Sequence, residues 1–230
     1  RKIYIGVSSQ SNDRWWSEEK RQTKQSTGRR NKRYYYITRL LRIQKIQFMI
    51  YPIVIYGNAV LKKQAEPITK DYPNLPTLIE DMYKTLDRAE GVGLAAPQIG
   101  LPIKLFIVDL SLLKDENPEW ANFKKVFINP EITFFSEDKE TKEEGCLSIP
   151  GISERVPRSL SVTIHYFDEN WVEKTETYSG FEARAIQHEY DHLMGHVFVD
   201  RISTIRRQMI SSKLSSLAKG KVRTHYKVKN

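Results

Sequence analysis

The residues best suited to chemistry lie in one short stretch, Gln187-His188-Glu189-Tyr190-Asp191-His192-Leu193. Its two histidines are four positions apart, and a helix of about 3.6 residues per turn places such positions on one face. His188 and His192 can therefore hold one metal ion between them. Glu189 leaves the helix axis roughly 100° away from His188, so its carboxylate can move protons beside the ion without ligating it. The pattern predicts a metal-dependent hydrolase.

The alternative is a pair of exposed histidines on a polar helix, but the neighbouring side chains argue against it. They are mostly apolar and predict a helix in the protein interior, where a histidine pair needs partners. These neighbours are Phe181, Ala185, Ile186, Leu193, Val197 and Phe198.

A catalytic site of this kind needs a third protein ligand and one open position. A downstream glutamate is excluded because no Glu follows Glu189, and a downstream histidine is excluded because Phe198 stands where that pattern requires it. The sole cysteine, Cys146, lies upstream in the segment Glu144-Gly145-Cys146-Leu147-Ser148 and is the remaining candidate, as a thiolate. An inert core cysteine is the alternative, and a single Cys excludes an internal disulfide.

A third segment, Gly91-Val92-Gly93-Leu94-Ala95-Ala96-Pro97-Gln98-Ile99-Gly100, is small and apolar. Glycine lets a backbone approach a ligand closely. Gln98 is the one amide in this setting, and a buried amide must find a partner, such as a substrate carbonyl. A tight connection between a helix and a strand is the simpler interpretation of the same residues.

In this order and at these spacings, the segments 91–98, 144–148 and 187–193 resemble the motifs of peptide deformylase. The resemblance covers roughly residues 50–201. It implies a metallohydrolase that removes the N-formyl group from the initiator Met of nascent polypeptides and releases formate. A zinc endopeptidase is the competing enzyme, and an RNA- or ribosome-binding module is the competing non-enzyme.

The resemblance also implies the roles of individual residues. Glu189 is the general base and acid, while Gln98 and the backbone N–H of Leu147 form the oxyanion hole. The implied metal ligands are Cys146, His188 and His192, and the implied substrate-binding residues are Val92, Gly93 and Gly145. The expected cofactor is one divalent ion, natively Fe²⁺, which Zn²⁺, Ni²⁺ or Co²⁺ can replace.

The elements that must position these segments predict an α+β fold. We expect mainly antiparallel strands in small sheets around a central metal-binding helix, with a C-terminal helix. Apolar residues at helical spacing predict a first helix over Pro76–Glu90, capped by Thr77, and an amphipathic C-terminal helix over Ile205–Leu217. Residues 219–230 are expected to form a basic tail.

The remaining segments predict strands and turns. Val126–Ile128 and Glu131–Phe135 are expected as strands broken at Asn129-Pro130, and Ser136–Glu144 as a charged turn. Alternating apolar residues predict a hairpin of Ser159–Asp168 and Trp171–Tyr178.

The net charge of +9 is concentrated at the N-terminus, where residues 1–47 hold thirteen basic against three acidic residues. This composition predicts a basic leader, transit-peptide-like or disordered, ahead of a catalytic domain over 48–230. A transit peptide implies a eukaryotic organelle, first a plastid type such as an apicoplast or chloroplast, and second a mitochondrion. The expected partners are formyl-Met nascent peptides, with ribosome contact through the basic C-terminal helix, and neither a membrane nor DNA.

Overall fold

The computed structural model describes residues 48–230, and the leader predicted over residues 1–47 lies outside them. The α-helices are α1 (Leu75–Arg88), α2 (Gly180–Leu193), α3 (Thr204–Met209) and α4 (Ser211–Ala218). The strands are β1 (Ile53–Val54), β2 (Gly93–Ala95), β3 (Leu105–Asp109), β4 (Lys124–Phe135), β5 (Lys139–Gly145), β6 (Ser153–Ser159), β7 (Ser161–Phe167), β8 (Glu173–Ser179) and β9 (Val228–Lys229). Short 3-10 helices cover Ala59–Lys62, Ala96–Ile99, Ser111–Leu113, Pro118–Asn122 and Phe198–Asp200.

A five-stranded antiparallel sheet in the order β2-β3-β4-β7-β8 forms the centre of the described domain. Successive side chains of a strand point to opposite faces. Leu105 and Ile107 of β3 therefore join the core cluster that contains the apolar side of α1, whereas Phe106 and Val108 join the cluster that contains α2. The sheet is thus covered by a helix on each face, which confirms the α+β prediction.

Helix α2 is the buried central helix that the sequence predicts. Ala183, Ala185, Ile186 and Leu193 pack against β-strand residues such as Phe106 in one core cluster. Gly180, with φ 60°, allows the chain to turn from β8 directly into the helix. Because the apolar residues fix α2 on the sheet, its polar positions face inward as well, and they can be buried only if they find partners.

Helix α1 begins earlier than predicted. Its N-cap is Asn74, in the left-handed conformation and without a side-chain capping bond, so the cap predicted at Thr77 is wrong. Pro76 explains the difference, because proline has no N–H to satisfy and its fixed φ suits the first turn of a helix. Thr77 therefore lies inside the first turn rather than before it.

The predicted break at Asn129-Pro130 is a local irregularity within one strand, β4, rather than a chain break. The pairing of β4 with β7 shifts register between Ile128 and Glu131, and Asn129 has φ 49°. The Asn129 side chain accepts a hydrogen bond from the N–H of Ile68 and donates to the carbonyl of Ile68. These two bonds stabilise the irregular backbone.

The charged turn predicted over Ser136–Glu144 is wrong, because Lys139–Gly145 is strand β5 and pairs along its length with β6. The two strands form a separate ladder whose first residues are exposed, so lysines and glutamates face solvent without cost. The buried end of this ladder delivers Glu144 and Gly145 to the centre of the molecule.

The C-terminal helix predicted over Ile205–Leu217 is interrupted at Ile210, which ends α3 and begins α4. Ile210, Leu214 and Leu217 are buried in the cluster that also contains Cys146. The basic tail predicted over residues 219–230 contains a strand that the sequence did not predict, because Val228 and Lys229 form β9 and pair in parallel with Ile53 and Val54 of β1.

Within residues 48–230, no helix has the length and apolar character that a membrane crossing requires.

Candidate metal centre and active site

Three separate elements bring the predicted site residues together. Helix α2 carries His188, Glu189 and His192, and the turn after β5 carries Cys146. The 3-10 helix after β2 carries Gln98. Each of these five side chains is buried.

Cys146, His188 and His192 offer one ligand atom each, and these atoms all lie within 4.8 Å of one another. The Cys146 Sγ lies 3.3 Å from Nε2 of His192. Metal–sulfur and metal–nitrogen bonds of about 2.3 and 2.0–2.1 Å in a tetrahedral site place such atoms roughly 3.5 Å apart. One sulfur and two imidazole nitrogens at these separations therefore fit a divalent transition metal ion.

The charges within this cluster perturb one another. Burial would raise the pKa of the Cys146 thiol, but the adjacent His192 and His188 outweigh it and lower the pKa to about 5. Burial would lower the pKa of His188, whereas hydrogen bonds with Cys146 and Glu144 hold that pKa well above its usual value. The sulfur is thus poised as a thiolate, which is the form that ligates metals.

Glu144 fixes the orientation of His188. Its Oε2 lies 3.0 Å from Nδ1 of His188, which leaves Nε2 as the ring nitrogen that is free to ligate. Arg158 binds the same carboxylate through two parallel bonds of 2.9 Å each, and Arg184 adds one of 2.7 Å. Although burial would raise the pKa of Glu144, Arg158 and His188 hold it well below its usual range.

The network extends along α2 to Asp191, three positions after His188. Nη1 of Arg158 lies 2.5 Å from Oδ2 of Asp191, and the guanidinium of Arg201 pairs with both carboxylate oxygens of Asp191. Burial would raise the pKa of Asp191, but Arg158 and Arg201 lower it. The buried charges near the site are therefore paired, as a low-dielectric interior requires.

Glu189 differs from these paired groups. Among the described residues, its Oε2 has no hydrogen-bond partner, and the same is true of Nδ1 of His192. Burial raises the pKa of Glu189 to about 7, and the nearby histidines only partly oppose this rise. A carboxylate with that pKa can accept and return a proton near neutral pH.

Gly93 lies directly against Glu189. A Cβ added at Gly93 would lie 2.7 Å from Cδ of the Glu189 side chain, a distance that real Cβ atoms essentially never show. A larger residue here would therefore have to displace the Glu189 side chain, which favours glycine because of the close approach of the two elements rather than an unusual φ. The backbone of β2 passes beside the carboxylate as a result.

The amide of Gln98 is oriented by its own segment. Its Oε1 accepts a hydrogen bond of 2.7 Å from the N–H of Ala95, so Nε2 points to the other side. That Nε2 lies 3.6 Å from the Sγ of Cys146 and 3.3 Å from Oγ of Ser148. A donor is thus held beside the metal cluster in a fixed direction.

The remaining predicted residues border the site in different ways. Val92 directly precedes β2 and has its side chain in the core. Its carbonyl accepts a hydrogen bond from the N–H of Asp109. Gly145 ends β5 opposite Ser153, directly before the cysteine. Within residues 48–230, the N–H of Leu147 donates to no protein group. Substrate contact by Val92, Gly93 and Gly145 stays a prediction.

The sequence motifs indicate no role for Glu144, Arg158 or Arg184, which orient or surround the candidate ligand His188. Glu144 stands two positions before Cys146, so a signal existed in the motif itself. Arg158 and Arg184 carry no comparable signal, because they lie 14 and 40 residues from Glu144 and only the folded chain brings them together.

The chain is similar to known proteins over most of the residues described above. A family model described as polypeptide deformylase matches residues 50–208. A peptide deformylase of Christiangramia forsetii is 47% identical over 188 residues, covering 79% of this chain and 96% of that protein. One from Flavobacterium psychrophilum is 48% identical over 188 residues, covering 79% of this chain and 97% of its own. The crystal structure of peptide deformylase from Thermus thermophilus is 37% identical, with a TM-score of 0.67, covering 75% of this chain and 99% of its own.

The fold and the buried sulfur–imidazole cluster define a metal-dependent hydrolase. With the matches over most of its length, the chain belongs to the peptide deformylase family, whose members remove the N-formyl group from nascent formyl-Met polypeptides. The predicted family, fold class and reaction are confirmed.

The predicted localisation in a eukaryotic organelle is wrong. The relatives that are 44–48% identical come from Christiangramia, Flavobacterium and Cytophaga, which are bacteria. The prediction rested on the basic composition of residues 1–47. The interpretation of that segment as a transit peptide is therefore not supported either. Basic composition alone does not distinguish a targeting sequence from other basic segments.

Proposed function

We propose that Cys146, His188 and His192 together bind one divalent ion, natively Fe²⁺, with Zn²⁺, Ni²⁺ or Co²⁺ able to replace it. The donor set supports this proposal, since a thiolate with two imidazoles suits these metals and not Mg²⁺ or Ca²⁺. When bound, the ion acts as a Lewis acid that polarises the formyl carbonyl and lowers the pKa of water. The hydrogen bond from His188 to Glu144 keeps the ring in the orientation that ligation needs.

Glu189 is the proton carrier in this proposal. It accepts a proton from the water that attacks the formyl carbon, and it then donates that proton to the amine nitrogen as the C–N bond breaks. Formate and a peptide with a free N-terminal amine leave. The observation that carries the proposal is the buried Glu189 carboxylate, whose Oε2 has no hydrogen-bond partner among the described residues, on the same helix as the two histidines of the candidate metal cluster. Its pKa of about 7 suits a group that must both take and give a proton.

Gln98 and Leu147 stabilise the negative charge that develops on the formyl oxygen. The Nε2 of Gln98 is aimed into the site because Ala95 binds the other end of the amide. The N–H of Leu147, the residue after Cys146, donates to no protein group within residues 48–230 and is therefore available. Losing one such donor typically costs about 2.7–4 kcal/mol of transition-state stabilisation. The backbone at Val92, Gly93 and Gly145 contacts the extended peptide.

The test of the Glu189 role compares two glutamates of the same helix. Glu189→Ala is expected to retain the metal but lose formate release from a formyl-Met-peptide. Glu182→Ala is the matched control, because Glu182 bonds the Trp120 side chain instead of facing the site, and it should stay active. Metal analysis of protein purified without oxygen identifies the native ion. Full activity in Glu189→Ala would remove Glu189 from the chemistry.

We further propose that the C-terminal region contacts the ribosome. Its support is a set of exposed basic side chains on α4 and in the segment that follows it: Lys213, Lys219, Lys221, Arg223 and Lys227. Phosphate binding by such side chains is salt-dependent. Exposed apolar side chains on α3, Ile205 and Met209, adjoin this surface in sequence.

The ribosome contact is tested by charge reversal. Lys219→Glu with Lys221→Glu should weaken salt-sensitive ribosome binding while leaving the hydrolysis of a free formyl-Met-peptide unchanged. Lys114→Glu, an exposed lysine in another loop, is the control. Equal ribosome binding by the wild type, the Lys219→Glu/Lys221→Glu double variant and Lys114→Glu would refute this contact.

A further inference from the structure

The turn that carries Cys146 has three consecutive carbonyl groups, and each has a different donor. The carbonyl of Cys146 accepts from the N–H of Ile149 within the turn itself, at 2.9 Å. The carbonyl of Ser148 accepts from the N–H of Tyr56, at 2.8 Å. The carbonyl of Leu147 accepts from the hydroxyl of Tyr226, at 2.9 Å, although 79 residues separate the two in sequence. A residue of the C-terminal segment therefore completes the turn.

The peptide group that Tyr226 contacts also touches the sulfur. Its carbonyl belongs to Leu147, and its N–H belongs to Ser148 and donates to the Sγ of Cys146 at 3.4 Å. Because a peptide group is planar, holding its oxygen also fixes the direction of its N–H. Hydrogen bonds in a chain polarise one another, so the bond from Tyr226 makes this N–H a better donor to sulfur.

The position of Tyr226 does not depend on its hydroxyl. Main-chain bonds from Ile53 to Lys227 at 2.8 Å and from Ile55 to Lys229 at 2.9 Å hold the segment on β1. Burial alternates along residues 221–229, with Tyr226 on the inner side and packed against a core cluster. Burial, with a smaller contribution from Cys146, raises the pKa of Tyr226, so the phenol keeps the proton that it donates.

We propose that Tyr226 is a positioning residue for the metal centre: its hydroxyl, acting through the Leu147–Ser148 peptide, aims an N–H at the Cys146 sulfur and so tunes the thiolate ligand. The C-terminal segment then has a part in the active site, besides its place in the fold. This inference rests on the proposed ligation by Cys146. The turn also carries the N–H of Leu147, so the same contact steadies that proposed oxyanion donor.

The experiment uses the full chain loaded with Co²⁺, which reports a thiolate ligand through a sulfur-to-metal charge-transfer absorption band. Tyr226→Phe removes only the hydroxyl. Tyr72→Phe is the matched control, because Tyr72 is also partly buried against the same core cluster. The rate of Co²⁺ loss to an excess of chelator is measured on the same samples, and the melting temperatures of both variants verify that they fold.

We expect the band of Tyr226→Phe to move to longer wavelength, because a sulfur that accepts a weaker hydrogen bond from the Ser148 N–H gives up electrons more readily. We expect Co²⁺ loss to become about tenfold faster, the lower end of the usual effect of residues that orient metal ligands. Tyr72→Phe should match the wild type in both measurements.

A band in Tyr226→Phe identical to that of Tyr72→Phe overturns the proposal, even if the variant melts at a lower temperature, because the hydroxyl would then only anchor the C-terminal segment. The absence of a thiolate band in the wild type is a different result, since it would refute ligation by Cys146 itself.

Discussion

Replacing Glu144 by glutamine is the substitution for which the structure gives the clearest energetic expectation. The carboxylate is fully buried and accepts bonds from Arg158, Arg184 and His188. The amide keeps the shape but removes the charge and turns one oxygen into a donor that faces guanidinium N–H groups. Removing one partner of a buried ion pair typically costs about 3–5 kcal/mol. We expect the free energy of unfolding of Glu144→Gln to fall by about that amount.

The assay is urea denaturation at matched metal loading, with Glu143→Gln as the control. Glu143 is the preceding residue of β5, is partly exposed and bonds Oγ of Ser153 instead of the network. Its replacement should change stability by no more than about 0.5 kcal/mol. Metal affinity of Glu144→Gln should drop by about 10–100-fold, because His188 loses the group that orients it. Equal denaturation midpoints for the two variants would refute the reasoning.

The pH dependence of the free energy of unfolding tests the role of Glu144 independently. The pKa of Glu144 is depressed in the folded protein, so its contribution to stability is complete above the unfolded pKa of about 4.3 and is lost as pH falls toward the folded pKa. Below about pH 4, the unfolded chain binds a proton that the folded chain does not. The stability of the wild type should therefore fall more steeply in acid than that of Glu144→Gln.

Four further predictions concern Gly93, Thr77, the metal ion and Cys146. Gly93→Ala should lower the rate of formate release while retaining bound metal, because the added Cβ displaces the Glu189 carboxylate; kinetics with metal analysis checks this. Thr77→Ala should change the free energy of unfolding by less than about 0.5 kcal/mol, since Thr77 does not cap α1. Removing the ion with a chelator should lower the melting temperature, because an ion at 100 times its Kd adds about 2.7 kcal/mol. Cys146→Ala should be insensitive to the chelator in the same thermal scan.

The helix that carries the candidate ligands His188 and His192 is predictable because helical geometry is local. His188 and His192 lie one turn apart on any α-helix, so their spacing carries the information without the rest of the fold. Cys146 was reached by a weaker argument, the exclusion of ligands further along the chain. Its distance from His192, 3.3 Å in the folded protein, depends on how β5 ends beside α2 and has no local signature.

The parts that the sequence did not reveal depend on long-range pairing. The charged residues of β5 predict a turn in solvent, yet most of them occupy the exposed part of a ladder with β6, and Glu144 at its end is buried. The bond of Arg158 to Glu144 joins these same two strands, so a prediction without the ladder does not reveal it. Charge patterns report exposure, and exposure is compatible with either a turn or an edge strand.

The C-terminal segment shows how local composition and position can suggest different roles. Residues 219–230 contain basic residues at nearly every second position, which predicts a surface for an acidic partner. The structure adds an inner side to the same segment, where Tyr226 contacts the turn of Cys146. The same segment can present basic side chains to solvent and Tyr226 to the interior, because successive residues of an extended chain point in opposite directions. A partner bound to the basic side would therefore act on the same backbone that positions Tyr226.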